Sequence, residues 1–533
     1  MRTLLLSLVI LVSGCRTVPE ISPLAAHIDA ALSRMAPFGL SGSVLVADRR
    51  GVILNRGYGA GLGPDTIYDM GSITKTFTAT ALLILEEEGK LSTADTLALH
   101  FPSAPSDKGG ITLDQILSHS GGLPDLIGGD YDQVLRDEFI VRFLGTPLVA
   151  KPGTEYHYSN GGYSLLAAII ENVSGMPYET FLRRRLFEPA GMRDTTYRVP
   201  RRDYPRVAHT MTPPVDHGSP AERLERAGGA HWVLMGNGGM LTTTNDLYRW
   251  ELALREGKIL SAEVREKLMR PIFRRNATTS LAAAWTIATV DGERVMHHGS
   301  DAPELGVNGE FRRYPDHYFT VIFLGNTRVN GWSPRRVVGP QVRKLARGGE
   351  LKTPRTERAD DAARFAGKYV LPDGSTVEIR ATGGHLVAGL TGQSAIDLFT
   401  VQRSEQSLAA RQRLNEKALE VAEAGNLTGV EVLGTSRRDR GVFMTTIRAH
   451  AGGAVKTLRF VWAGTEPEPD SDDGALPRIG PFSESPIAFA LERPLWREKG
   501  DSFVFYDIYA DETIRVSFAG GRLRVAGVEF LRR

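Results

Sequence analysis

Ser72 and Lys75 stand three residues apart, one turn of a helix, and that pair can do chemistry. A hydroxyl becomes a nucleophile when its proton is taken, and a lysine amine takes it when burial and neighbours keep that amine partly neutral. Ser72 opens the run to Glu88, which has no Pro or Gly, is apolar on more than one face and stops at Gly89. This predicts a helix buried inside a domain, with Gly89 closing it. At its N-terminus, unpaired N–H groups and the positive end of the dipole favour a developing negative charge. The S-x-x-K spacing alone equally describes an N-cap followed by a solvated lysine, so its companions decide.

The first companion is Glu155-Tyr156-His157-Tyr158-Ser159-Asn160-Gly161-Gly162-Tyr163, after the turn at Lys151-Pro152-Gly153. Glycines and serine ahead of the helical stretch Tyr163–Glu171 place it in a loop entering a helix, where function often sits. Tyr158 offers a phenol able to accept or return a proton, and Asn160 both a donor and an acceptor. The second is Val295-Met296-His297-His298-Gly299-Ser300. Read as an edge strand, it can present a backbone N–H to a substrate carbonyl, with the small Gly299 permitting close approach and His297 able to hold a carboxylate or steer a proton. Adjacent histidines on a strand point to opposite faces, and no Asp, Glu or Cys cluster accompanies them, so no metal site is read here. His119, near the end of a short helix before Gly121-Gly122-Leu123-Pro124, is read as structural, satisfying a backbone carbonyl.

The elements that must position these residues follow from periodicity. Leu24–Met35 has helical spacing, ended by Pro37 and Gly39. Gly42–Asp48 and Val52–Gly59 flank a turn at Arg49-Arg50-Gly51 and read as a hairpin, and the stretch from His297 to Asn326 reads as further strands. A helix, a hairpin and a buried helix predict an antiparallel sheet covered by helices. At 533 residues and 42% hydrophobic content, the chain exceeds what one core serves, so two or three domains are expected. Lys and Arg total 64 against 62 Asp and Glu, a formal net charge of +2, which leaves no basic excess for a nucleic-acid partner.

In order and rough spacing, Ser72-x-x-Lys75, Tyr158-x-Asn160 and His297-x-Gly299, with the glycine-led segment Gly238–Trp250, resemble the penicillin-recognising serine hydrolases: class C β-lactamases, D-alanyl carboxypeptidases, D-aminopeptidases and related esterases. The resemblance covers about Ile28 to Leu345. It implies an α/β fold with an antiparallel sheet flanked by helices, an all-helical subdomain and no cofactor. It also implies that Ser72 is acylated, that Lys75 and Tyr158 move its proton, and that Asn160 orients Lys75 and the substrate amide. By the same resemblance the backbone N–H groups of Ser72 and Ser300 form the oxyanion hole. Where β-lactamases carry Lys-Thr-Gly, this chain has histidine, a weaker and pH-dependent carboxylate anchor. The implied activity is therefore an esterase or D-amino-acid peptidase rather than an efficient β-lactamase. The competing reading is an inactive, penicillin-binding-like lipoprotein that binds a cell-wall or small-molecule ligand.

The composition turns polar near Gly348–Arg358, which marks a linker between a hydrolase domain at 24–348 and a C-terminal domain at 363–533, with 349–362 between them. Short strands including Gly367–Arg380, His385–Leu390, Leu458–Trp462, Ser502–Tyr506 and Arg515–Phe518 predict a small barrel, resembling the lipocalin-like domain that follows such hydrolases. Glu405–Ala424 has helical spacing and interrupts it. Asp470-Ser471-Asp472-Asp473 reads as a solvated acidic turn. At the other end, Met1 to Cys15 pairs one positive charge with a short apolar run, an export signal. Val12-Ser13-Gly14-Cys15 resembles a bacterial lipobox, implying cleavage after residue 14, acylation at Cys15 and tethering of the protein to a membrane. Arg16 in place of the Asp often found in inner-membrane lipoproteins points to the outer membrane, facing the periplasm.

Overall fold

The structure, a computed structural model, describes residues 22–213, 215–302, 304–328, 334–399, 405–424, 427–439, 442–451, 454–463, 478–479, 491–507 and 512–532. The export signal with Cys15 and the acidic turn at Asp470–Asp473 lie outside them. The N-terminal part is built on an eight-stranded antiparallel sheet. Its central strands are Gly42–Asp48, Phe319–Gly325, Val307–Tyr314 and Glu293–Ala302. Residue types alternate across this sheet with period two. Val44, Val46, Val321 and Phe323 pack on one face beneath the helices Pro23–Met35 and Arg335–Ala346. Leu45, Ala47, Ile322 and Leu324 pack on the other with the helix Thr74–Glu87. Both faces are covered, which is why Ser43–Ala47 reads as a nearly unbroken apolar run.

The helix Thr74–Glu87 is buried from Thr74 through Leu85. A 3-10 turn, Gly71–Ile73, precedes it, so Ser72 stands in this tight turn and not in the α-helix proper. Gly89 takes the left-handed conformation at the far end, φ +67°. Between this helix and Arg255 the longer elements are helices, among them Leu113–Leu117, capped reciprocally by Thr112 and Gln115, and Asn160–Ser174, joined by loops and the two-residue strands Met211–Thr212, Val215–Asp216 and Leu241–Thr242.

The C-terminal part contains a closed eight-stranded barrel. Val377, Ile379, Leu386, Leu390, Phe503, Val516, Phe518 and Phe530 belong to its buried core, which is filled by side chains. The stretch Leu458–Trp462, expected from sequence as part of the barrel, lies in strand Ala454–Ala463, which belongs instead to a separate four-stranded sheet inserted between two barrel strands. The expected helix Glu405–Ala424 packs there, with Leu414, Ala418 and Ala422 against Ile447 and Ala449. Val504 and Tyr506 of the barrel pack on the hydrolase part, with Tyr506 edge-on to Phe38 at 5.4 Å. Leu351 and Thr353 in the connection are buried, and Leu351 joins that same cluster. Among the described residues no helix is long and apolar enough to cross a membrane, and no group of three His, Cys, Asp or Glu is arranged to hold a metal.

Candidate active site

Ser72, Lys75, Tyr158 and Asn160 converge. Lys75 Nζ lies 3.3 Å from Ser72 Oγ and donates at 2.6 Å both to Asn160 Oδ1 and to the carbonyl of Asn237. Tyr158 donates its hydroxyl to Ser72 Oγ at 2.8 Å. Its ring lies 4.8 Å from the Lys75 ammonium, and that of Tyr163 5.6 Å away. Lys75 is wholly buried. Burial pushes its amine down to about 7, against the opposing pull of the Asp125 and Asp130 carboxylates. Burial also raises the Tyr158 phenol far above its usual range, only partly offset by its bond to Ser72. At neutral pH the site therefore pairs a lysine poised between its two forms with a phenol that keeps its proton.

Two groups that carry no sequence motif hold this arrangement. Asp125 Oδ1 accepts from the backbone N–H of Asn160 at 3.1 Å and from its side-chain amide at 2.9 Å, turning the amide oxygen toward Lys75. Asn160 thus begins the helix Asn160–Ser174, whose N-cap Ser159 accepts from Gly162. The Asn237 carbonyl is aimed by its own side chain, which donates to Ser164 Oγ at 2.9 Å and to the Val233 carbonyl at 2.7 Å.

Facing the serine turn is strand Glu293–Ala302. It pairs with Val307–Tyr314 from Met296 to Ala302, but with Thr286–Val290 only as far as His297. Residues 298–302 consequently keep one edge unpaired in the sheet, beside the site. Ser300 sits against the turn: a Cβ on Gly71, which is at φ +44°, would overlap Ser300 Oγ. His297 lies on the opposite face, its Nδ1 3.6 Å from Glu310 Oε1, and Glu310 is bound by Arg312 at 2.7 Å. Gly299 shares that face, and what approaches it closely is the Arg335 guanidinium, which also lies 3.4 Å from Asp301.

The histidine on the Lys75 side is His298. Its Nδ1 donates to the carbonyl of Ala284, a residue held at φ +63°. Burial, with the Lys75 charge next, pushes His298 down to about 3. His297 is likewise held neutral, at about 3, by burial and then by Arg312 and Arg335. Period-two alternation from Ser300, the residue beside the turn, would have picked out His298 in the sequence. His119 has a structural place, but its Nδ1 accepts from the Ser159 backbone N–H at 3.1 Å; it does not donate to a carbonyl.

A profile of the Beta-lactamase family matches residues 37–338. Penicillin-binding protein 4* of Bacillus subtilis (strain 168) is 27% identical over 391 residues, covering 67% of this chain and 86% of that protein. The octameric penicillin-binding protein homologue from Pyrococcus abyssi superposes with a TM-score of 0.53 at 21% identity, over 84% of this chain and 99% of that one. D-amino acid amidase from Ochrobactrum anthropi SV3 does so at 0.51 and 21% identity, over 61% and 99%. At those identities the two structures show a shared fold. The family profile spans more than half of the 533 residues, and the chain is a member of the Beta-lactamase family of serine hydrolases.

Proposed function

We propose that the protein hydrolyses an ester or amide bond through an acyl-Ser72 intermediate, and that its substrates are small esters or D-amino-acid amides and peptides before β-lactams. The observation that carries this reading is Lys75: fully buried, 3.3 Å from Ser72 Oγ, with its amine pushed down to about 7. In its neutral form the amine takes the Ser72 proton as Oγ attacks the carbonyl carbon. Tyr158, kept protonated, gives its proton to the departing oxygen or nitrogen and regains one from the Lys75 ammonium. Water then attacks the acyl-serine, and the same groups run in reverse to free the acid and restore Ser72. Asn160 holds Lys75 and meets the substrate amide. The N–H groups of Ser72 and Ser300 are the proposed oxyanion donors, each worth about 2.7–4 kcal/mol in such sites.

The preference against β-lactams rests on the strand: both histidines are held neutral and neither supplies the fixed cation of a Lys-Thr-Gly motif. The filled barrel core favours a structural C-terminal domain over a ligand carrier. Export and lipid attachment at Cys15 complete the proposal and place the enzyme on the periplasmic side of an outer membrane. Initial rates on short-chain esters, D-amino-acid amides and peptides, and a chromogenic cephalosporin test it. Turnover of an ester or amide, lost in Ser72→Ala, supports the reading; rates highest on the cephalosporin contradict the substrate assignment. Incorporation of labelled palmitate that disappears in Cys15→Ser tests the anchor.

A further inference from the structure

Tyr158 must deliver its hydroxyl to Ser72 from residues 155–159, which belong to no helix or strand. His119 holds this stretch through three contacts with three consecutive residues, alongside the Ser159 hydroxyl's bond to the Pro124 carbonyl at 2.6 Å and the Arg275 guanidinium 4.3 Å over the Tyr156 ring. The His119 carbonyl accepts from the His157 backbone N–H at 2.8 Å. Its ring Nδ1 accepts from the Ser159 backbone N–H at 3.1 Å. The ring face lies on Tyr158, centroids 4.3 Å apart at 30°, and continues onto Tyr163 at 5.1 Å. The residue before the tyrosine, the tyrosine itself and the residue after it are thus gripped by one side chain and its backbone. His119 is buried and takes φ +56°, a conformation uncommon outside glycine that a histidine adopts at a cost. Here it turns the ring and the carbonyl toward the same segment.

We propose that His119 is a positioning residue for Tyr158: its ring nitrogen and ring face fix the phenol on Ser72. The contact sets the tautomer. Nδ1 must be the bare nitrogen, so the proton sits on Nε2, which is buried without a hydrogen-bond partner among the described residues. A protonated ring would turn Nδ1 from acceptor to donor and break the bond to Ser159. Burial, and after it the Lys75 charge, keeps the ring neutral by holding it well below its usual range. The role extends the acyl-transfer reading of Ser72 and rests on it.

A double-mutant cycle on the phosphonylation of Ser72 by a fluorophosphonate, in which Oγ displaces fluoride from phosphorus, tests the proposal in the full-length protein. His119→Ala is expected to slow this phosphonylation about 10²-fold, the scale of an ångström-sized misplacement, with the KM for an ester little changed. His119→Asn, whose side-chain oxygen can accept from Ser159 and which tolerates positive φ, is expected to recover most of the rate. In a Tyr158→Phe background, His119→Ala is expected to cost almost nothing further, because the group it positions is gone. A merely structural role predicts the opposite: His119→Ala slows the Tyr158→Phe enzyme as much as the wild type, and His119→Asn does not rescue. Either result overturns the proposal. Circular dichroism and thermal midpoints of each variant identify any that fail to fold, and the Asn variant alone then decides through rescue. Failure of wild-type protein to react at Ser72 instead removes the underlying acyl-transfer reading.

Discussion

The side chain with the most consequences is Lys75. A buried amine near 7 is neutral in half the molecules at that pH, and in the proposed reaction that neutral form accepts the serine proton. Below about 7 the ammonium dominates and acylation slows with each unit of acid, and above it the rate levels off. A pH profile of Ser72 phosphonylation by a fluorophosphonate is expected to show this single rise. Lys75→Met removes the base and is expected to lower kcat about 10²–10⁴-fold, with Ser72 still folded in place. Much of this site was legible in the sequence because Ser72 with Lys75, and Tyr158 with Asn160, are short-range pairs whose spacing carries meaning. Asp125 and the Asn237 carbonyl were not: one reaches Asn160 across 35 residues and the other acts through a backbone atom that any residue carries. Of the two histidines, only knowledge of which strand face meets the serine turn separates His298 from His297.

At the level of elements, the site is a junction between a tight turn and an open strand edge. Gly71 makes the junction possible, because Ser300 fills the space a Cβ would need. Gly71→Ala is expected to cost about 1–2 kcal/mol for the left-handed backbone alone. It should also push the strand back, so acylation is expected to fall together with the thermal midpoint. Within the helix behind Ser72, Leu82 is fully buried, and Leu82→Ala is expected to lower stability by about 2–5 kcal/mol, read by denaturant unfolding. The hairpin, the buried helix and the central strands were readable because each repeats an apolar pattern at a fixed period. The 3-10 turn holding Ser72 was not, since Ser-Ile-Thr fits the first turn of either helix type. The left-handed backbone of His119 was equally silent, being imposed by the tyrosine segment it grips.

Across the whole molecule, the barrel rests on the same helices that cover the back of the hydrolase sheet. Val504, Tyr506 and Phe38 share one cluster with Val338 and Val342 of the helix Arg335–Ala346. Tyr506→Ala is expected to cost about 3–5 kcal/mol, the range for burying and losing a large aromatic ring. Limited trypsin digestion is then expected to cut earlier between residues 349 and 362, while Ser72 still reacts. The barrel itself was foreseeable from its short strands and Gly turns. Assignment of Ala454–Ala463 to the inserted sheet was not, because a strand's own pattern says nothing about which sheet it joins.

The central claim is that Ser72 is the group acylated, with Lys75 as its base. Mass spectrometry of the full-length protein after treatment with a fluorophosphonate, followed by peptide mapping, measures this directly. One adduct on the peptide bearing Ser72, forming faster as pH rises through about 7 and absent from Ser72→Ala, is the predicted result. An unmodified Ser72, or an adduct that persists in Ser72→Ala, would contradict it.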